Sequence, residues 1–244
     1  MNVERIRTGG RGPLWCAIVP LAVLVPLAVT ALVATVATRI NATGGLLSVQ
    51  AARTSGALYW VVNLGVIVLA AGAAYVSAAA PEAPQRLARV GVVRLLLGRW
   101  AWLALVAAAC IFVEVVVVLL ALPALFPQVY GAVSIGDAAG LRALWAMPLY
   151  AGLAVGIGVA VGTVLRSAGL AVGAVTVWAL LIENALGVTR AQPWLPFLAG
   201  IAGTGQELAL PPRWGLNGSL AYVAVVAVVC MAVGLVVLRW RWRR

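Results

Sequence analysis

The chain contains neither lysine nor histidine, and only 9% of its 244 residues are charged. Without lysine it has no Walker A loop, so we do not expect it to hydrolyse ATP itself. Without histidine it offers no histidine ligand for zinc or b-type haem, no serine–histidine dyad and no histidine proton relay. Its cysteines, Cys16, Cys110 and Cys230, lie far apart in apolar runs, and we interpret them as small buried hydrophobic residues. The sequence therefore predicts no enzyme, with no catalytic site, metal site or cofactor in this chain.

Apolar sequence is in excess, at 64% of residues against about 45–50% in soluble domains. A bilayer core needs roughly 20 apolar residues of helix, and six such runs are present. Their approximate bounds are 14–38, 56–79, 100–122, 144–165, 168–186 and 218–238. The first run is too long and too rich in proline for the core of a signal peptide, so we interpret it as a retained helix. Residues 1–244 are predicted to form a single all-α transmembrane domain of six helices.

The distribution of arginine predicts the orientation of these helices. All 17 basic residues are arginine, and with 6 acidic residues they give a net charge of +11. Loops on the cytoplasmic side carry the excess of positive charge. With the N-terminus inside, the inner segments hold Arg5, Arg7, Arg11, Arg86, Arg89, Arg94, Arg99, Arg166, Arg239, Arg241, Arg243 and Arg244. The outer segments hold Arg39, Arg53, Arg142, Arg190 and Arg213. We therefore expect both termini to be cytoplasmic, with arginines beside lipid headgroups rather than on a face that binds nucleic acid.

The tryptophans agree with this orientation, because aromatic residues collect at membrane interfaces. The inner boundary would hold Trp15, Trp100, Trp102, Trp240 and Trp242, and the outer one Trp60, Trp145, Trp194 and Trp214. Only Trp178 falls in the middle of a span.

The inner segment between the second and third runs has a helical pattern. After Pro84, Leu87, Val90 and Arg94 recur three to four residues apart, which predicts a short amphipathic cytoplasmic helix that leads into the third span. Such a helix either lies on the inner leaflet or docks into a partner protein. The side chains that would make a docking contact are Gln85, Arg86, Arg89 and Arg94.

Glycines recur at four-residue spacing in the fourth and fifth runs. They are Gly152, Gly156, Gly158, Gly162, Gly169 and Gly173. This spacing lets helix backbones approach closely, and only Arg166 and Ser167 separate the two runs. We expect a tight antiparallel hairpin, whose glycines pack within the chain or, alternatively, form a dimer face or a moving surface.

Two carboxylates fall inside apolar runs, Glu114 in the third and Glu183 near the end of the fifth. A charge in hydrocarbon costs at least about 2.5 kcal/mol, so each should be protonated, paired or in contact with water. Glu183, which precedes Asn184, would either form a structural ion pair with Arg142 or Arg190 or line a substrate gate. Glu114 is deeper, which favours a place on a cavity wall.

Two further outer features belong to the same candidate pathway. Asn63 lies at a similar depth in the second run and could hydrogen-bond to either carboxylate. The segment 187–217 is the longest loop, but its stretch 194–202, which contains Trp194 and Phe197, is apolar and too short to span. A short re-entrant or interfacial helix near Glu183 is predicted there.

Taken together, four segments resemble the permease subunits of type-2 ATP-binding-cassette (ABC) exporters, particularly small actinobacterial members. They are the arginine-bearing stretch 85–99, the glycine-rich run 156–169 with its basic residue Arg166, the stretch 178–186 around Glu183, and Trp194-Leu-Pro-Phe197. That family shows a glycine-rich fourth helix with a basic end, a fifth helix ending in an apolar-Glu-x-x-Leu pattern, and a proline-containing outer segment. The match covers about half of the chain, from residue 80 to roughly residue 210.

The resemblance implies a bacterial plasma-membrane permease dimer driven by two cytoplasmic ATPase subunits, which would hold ATP and Mg²⁺. Residues 85–97 would be the coupling helix, and the piece around 194–203 would form an outer gate. The family usually has an amphipathic helix before the first span, whereas here residues 1–13 are interrupted by three glycines. The second permease chain is accordingly expected to be either identical or different.

The expected function is export of a hydrophobic or amphipathic compound such as a drug, an antibiotic or a lipid. Two alternatives stay open. One is a substrate-binding membrane subunit of an ATPase-driven vitamin uptake system, which would differ in the direction of transport. The other is a membrane assembly or immunity protein, which would have no stoichiometric ATPase partner.

Overall fold

The computed structural model describes residues 12–43, 51–79 and 91–242. Within those ranges every regular element is helical. Six helices are long and apolar enough to cross a membrane, which confirms the all-α prediction and its six spans. They are α1 (Leu14–Ala42), α2 (Val61–Ala78), α3 (Val92–Leu125), α4 (Ala138–Leu165), α5 (Ala168–Leu186) and α7 (Gly215–Arg241). A short helix, α6 (Pro196–Gly203), lies between the last two. The chain is a multi-pass membrane protein.

Three of the spans begin earlier than predicted, α3 and α4 by more than a helical turn and α7 by three residues. Helix α3 starts at Val92, directly after Gly91, whose φ of +78° is a conformation that favours glycine. Residues 92–97 are therefore the first turns of the span and not part of a separate amphipathic helix, so that prediction is wrong for this stretch. Helix α4 starts at Ala138, because the side chain of Asp137 accepts a hydrogen bond from Gly140 N and caps the helix.

Helices α2 and α4 form the centre of the bundle. They are the most buried of the six, whereas α1, α5 and α7 are the least buried. Large apolar side chains are exposed on the outer helices, such as Leu24 and Leu32 at 63% each. Exposed leucine in this density is what a lipid-facing surface requires. The same surface explains why Cys16 is exposed, although it was predicted to be buried, and why Cys110 and Cys230 are only half-buried.

Glycines let the two central helices approach closely. A Cβ atom on Gly158 would lie 2.1 Å from Ala70 O, and one on Gly162 would lie 2.2 Å from Ala74 O. These glycines of α4 thus meet the backbone of α2 rather than α5. Close backbone contact of this kind is a main source of helix association in lipid.

At the end of the bundle opposite α6, arginines bind the carbonyl groups that terminate helices. Arg241 of α7 donates from Nη1 to Thr163 O (3.2 Å) and from Nη2 to Val164 O (2.9 Å) at the end of α4. The buried Arg99 of α3 donates to Ser77 O at the end of α2 (3.5 Å). The last carbonyls of a helix have no intrahelical donor. These arginines therefore cap helix ends in addition to placing positive charge at this end of the bundle.

Candidate functional site

The short helix α6 is built into the protein at one end of the bundle. Pro196 occupies its first turn, where a missing N–H does no harm. Residues 197–203 are all buried, between α4 on one side and α7 on the other. After the helix ends, Gly205 reverses the chain with a φ of +96°. The short apolar helix predicted around 194–203 is present, although it begins two residues later.

Glu183 holds the N-terminal end of α6. Its carboxylate accepts hydrogen bonds from Leu198 N (2.8 Å), Phe197 N (3.2 Å) and Trp178 Nε1 (2.7 Å). The first N–H groups of a helix have no intrahelical acceptor, and the helix dipole favours a negative charge there. A fully buried carboxylate is thereby satisfied without a cationic side chain. The predicted ion pair of Glu183 with Arg142 or Arg190 is wrong, because these N–H donors occupy the carboxylate.

A π-helical turn in α5, Val177–Ile182, prepares this geometry. Its wider turn brings residues that are five positions apart onto the same face of the helix, so Trp178 reaches Glu183. In the same way Asn184 Nδ2 donates to Ala179 O (3.1 Å), and also to Leu180 O (3.0 Å). Such single π turns are frequent at functional positions. Trp178, which stands alone in the middle of the predicted spans, thus has a specific structural partner.

Arg142 of α4 holds the opposite end of α6. Its guanidinium donates to Gly203 O from Nε (3.1 Å) and from Nη2 (2.7 Å), and Nη2 also donates to Asn217 Oδ1 (2.9 Å). It lies over the ring of Trp145 as well, 5.1 Å from the centroid. A cation at the C-terminus of a helix complements the dipole. The helix α6 is therefore held between a carboxyl group from α5 and a cation from α4.

Close packing against α4 and α7 fixes the position of α6. The hydroxyl of the buried Tyr150 on α4 donates to Phe197 O (3.1 Å). A Cβ on Gly200 would lie 2.0 Å from Cε2 of that tyrosine, and one on Gly203 would lie 2.8 Å from Leu220 Cγ on α7. Only glycine at these two places lets α6 pass between α4 and α7.

A cavity of about 160 Å³ lies beside α6 and brings two predicted pathway residues together, Asn63 of α2 and Asn184 of α5. Tyr59, Gln192, Leu198 and Ile201 also line it. Asn63 is buried and its Oδ1 accepts no hydrogen bond. It is bonded to neither carboxylate, because both oxygens of Glu114 lack a partner and those of Glu183 accept from Leu198, Phe197 and Trp178. A cavity with amide groups and apolar walls suits a small polar or amphipathic group.

Gln192 shapes this cavity and was not predicted. Its side chain exchanges two hydrogen bonds with the backbone of Leu210, each 3.0 Å long, and so closes the segment that carries α6 into a loop. A glutamine beside Pro193 in an otherwise apolar segment was the sequence signal for such a role. Tyr59 gave no signal, because its neighbourhood reads as ordinary apolar sequence.

Trp194 belongs to the surface and not to the cavity. It is 52% exposed and packs edge-to-face on Trp214 at 5.1 Å, with Arg213 5.3 Å above its ring. Tyr222 of α7 donates to Trp194 O (2.7 Å). This aromatic cluster anchors the segment before α6, whereas Phe197 is buried inside α6 itself.

Glu114 lies apart from the cavity, on α3 against α1 and α2. It is fully buried, and neither carboxyl oxygen has a hydrogen-bond partner. Its Oε2 is 3.3 Å from the place that a Cβ on Gly65 would take. Glu114 and Glu183 therefore occupy two different environments.

Of the predicted coupling residues, Gln85, Arg86 and Arg89 lie outside the described residues. Arg94 is exposed in the first turn of α3, at the end of the bundle opposite α6. It stands on the solvent side of that turn, while Val92 and Leu96 face the core.

The remaining glycines divide into packed and open positions. A Cβ on Gly156 would lie 2.8 Å from Trp100 Nε1, and one on Gly152 would lie 3.5 Å from the Cβ of Ala104. Trp100 Nε1 donates to Gly152 O (2.9 Å), so this tryptophan joins α3 to α4 rather than marking a membrane boundary alone. On Gly169 and Gly173 of α5, a Cβ would have no neighbouring atom within 4 Å.

Comparison with known protein families, with curated proteins and with solved structures gives no match. Within the described ranges, no three residues among Cys, Asp and Glu are grouped as metal ligands.

Proposed function

We propose that the chain is the transmembrane permease subunit of an ABC exporter in a bacterial plasma membrane. It would form half of a pathway for a hydrophobic or amphipathic compound such as a drug, an antibiotic or a lipid. The observation that carries the proposal is α6, a buried helix held at both ends by charged side chains above a cavity with Asn63 and Asn184. We take this end of the bundle as the outer side and α6 as the outer gate.

The attachment of α6 to two different helices supports a gating role. Glu183 comes from α5 and Arg142 comes from α4. A relative movement of these helices would pull the two ends of α6 apart, and the cavity beside it would open. Trp194 and Phe197 would move with the gate, because one anchors the segment before α6 and the other is within it.

An apolar cleft supports the class of compound. It has a volume of about 450 Å³ and lies on α2 between α1 and α5, with Leu21, Ile67, Val172 and Leu180 in its wall. Lining of this kind fits a hydrocarbon portion, whereas the smaller cavity near α6 fits a polar portion. An amphipathic molecule would use both.

ATP chemistry would belong to a partner, with ATP and Mg²⁺ bound there. Two ATPase copies and a second permease chain, identical or different, would complete the transporter. Purification of the tagged chain from native membranes in mild detergent is expected to bring down a Walker A ATPase in stoichiometric amount. A preparation without an ATPase under several gentle conditions would contradict the proposal and favour an assembly or immunity protein.

A variant at the opposite end of the bundle tests the site of ATPase contact. Arg94→Glu reverses an exposed charge in the first turn of α3, where a glutamate suits the helix dipole and should not impair folding. We expect the amount of co-purified ATPase to fall about tenfold, which corresponds to about 1.4 kcal/mol of binding free energy. Arg53→Glu, an exposed charge near α6, is the matched control and should leave the complex intact. Equal ATPase recovery with both variants would place the contact elsewhere.

A further inference from the structure

The carboxyl group of Glu114 is buried without a hydrogen-bond partner. It is 0% exposed, and both oxygens lack a partner. Glu114 is eleven residues from the end of α3 at Leu125, which is about 16 Å at the rise of an α-helix. An ionised carboxylate at such a depth, without donors or a cation, is strongly disfavoured relative to its neutral form.

A carbonyl oxygen borders the same small space as this carboxyl group. Oε2 of Glu114 and the carbonyl oxygen of Ala22 lie 3.3 and 3.5 Å from the place that a Cβ on Gly65 would occupy. Both oxygens therefore border one small gap that exists because residue 65 is a glycine. Gly65 closes a π-helical turn of α2, Val61–Gly65.

The Ala22 carbonyl is short of a donor for a covalent reason. In an α-helix it would accept from the N–H of residue 26, but that residue is Pro26, which lies inside α1 and has no N–H. Two oxygens thus face the same gap, one on a carboxyl group and one on a carbonyl that has lost its intrahelical bond. A single proton between them would give each oxygen a hydrogen bond.

Charged side chains are scarce on the described parts of the helices around this place. Arg39 is the one charged residue in the described α1 and α2, and it lies in the last turn of α1, far from Ala22. On α3 the nearest group that titrates is Cys110, one helical turn away. On α4, the charged and titratable groups at the end of the bundle that holds α6 are Arg142 and Tyr150, and both are bonded to α6.

We propose that Glu114 is a proton-binding site within the membrane, where a carboxylic acid donates its hydrogen bond to Ala22 O. The site does not depend on the proposed transport role. It links protonation to the position of α1, the least buried of the spans, because withdrawal of α1 removes the acceptor and opens the acid to water, which takes up the proton. Glu183 provides the contrast, since its carboxyl group accepts three hydrogen bonds from N–H donors, whereas neither oxygen of Glu114 has a partner.

Infrared spectroscopy of the full chain in lipid vesicles at neutral pH tests the proposal. A carboxylic acid and a carboxylate absorb at different frequencies, and surface carboxyl groups are ionised at this pH. The wild-type protein should show an acid C=O band that is lost in Glu114→Gln and kept in Glu183→Gln. No acid band in the wild type, or a band that Glu183→Gln removes, would overturn the assignment, and the first of these needs no variant to fold.

A proline variant tests the acceptor. Pro26→Ala returns an N–H to Ala22 O, so the carbonyl is shared between this N–H and the acid, the hydrogen bond of the acid weakens and its C=O band should shift. Pro20→Ala is the matched control, because Pro20 is another proline of α1 and its replacement leaves Ala22 O unchanged. An acid band that stays in place in Pro26→Ala would overturn the role of the Ala22 carbonyl.

Discussion

At the residue scale, the two carboxyl groups of the spans differ because the backbone around them differs. Glu183 faces the first N–H groups of α6, which need an acceptor, whereas Glu114 has no donor and shares a gap with a carbonyl oxygen. The sequence predicted the depth of both and the nearness of Glu183 to a short helix. It did not predict the partner, because backbone donors appear only once the chain turns at Leu195 and begins a helix.

Glu183→Gln is expected to loosen α6. Glutamine keeps one acceptor oxygen and introduces an NH₂ group that cannot accept from Phe197 N or Leu198 N. Leaving buried N–H groups unpaired costs about 1–3 kcal/mol. Since the chain has no lysine, trypsin cuts only after arginine, and cleavage after the exposed Arg190 and Arg213, which flank α6, should become faster.

The matched control for this loosening is Glu207→Gln. Glu207 forms an exposed ion pair with Arg53 at 3.4 Å, and exposed pairs contribute little. Its tryptic pattern should match that of the wild type. Unchanged cleavage at both flanking sites in Glu183→Gln would show that the carboxylate does not hold α6.

At the element scale, sequence reasoning found the helices better than it found their ends or neighbours. Six apolar runs became six helices because length and hydropathy alone determine a span. The early starts of α3 and α4 depend on Gly91 and Asp137, which are turn and capping signals outside the apolar runs. The glycine pattern predicted close packing but not its partner, since spacing along one helix carries no information about which helix faces it.

The glycines of α4 and α5 should respond in opposite ways to alanine. Gly158→Ala and Gly162→Ala would press a Cβ against the backbone of α2, and such overpacking costs typically 1–3 kcal/mol. Gly169→Ala and Gly173→Ala meet no atom within 4 Å, and alanine is about 0.5–1 kcal/mol better than glycine inside a helix. Thermal unfolding in detergent should therefore give lower midpoints for the first pair and equal or higher midpoints for the second. A marked loss of stability in the second pair would reveal a second chain packed on that face of α5.

At the scale of the whole molecule, the number of spans determines which connections lie on the same side of the membrane. Six spans return the chain to the side from which it started, so the α4–α5 turn and α6 must lie on opposite sides of the membrane. The charge asymmetry predicts which side is which, because twelve of the 17 arginines fall on one side of this topology and positive loops stay in the cytoplasm. Arg99 and Arg241, which are bonded to the ends of α2 and α4, are two of these twelve.

Cysteine labelling in intact cells tests this orientation. In a chain whose three native cysteines are replaced by alanine, Ser134→Cys lies in the exposed α3–α4 connection and Ser167→Cys in the exposed α4–α5 turn. A maleimide that cannot cross membranes should label position 134 in intact cells and position 167 only after the cells are permeabilised, because the arginine excess keeps that turn inside. The opposite pattern would put α6 in the cytoplasm and remove the basis for an outer gate. Labelling of both positions in intact cells would mean that α4 does not cross the membrane. That result would contradict this fold, in which glycines of α4 pack against α2 at the centre of the bundle.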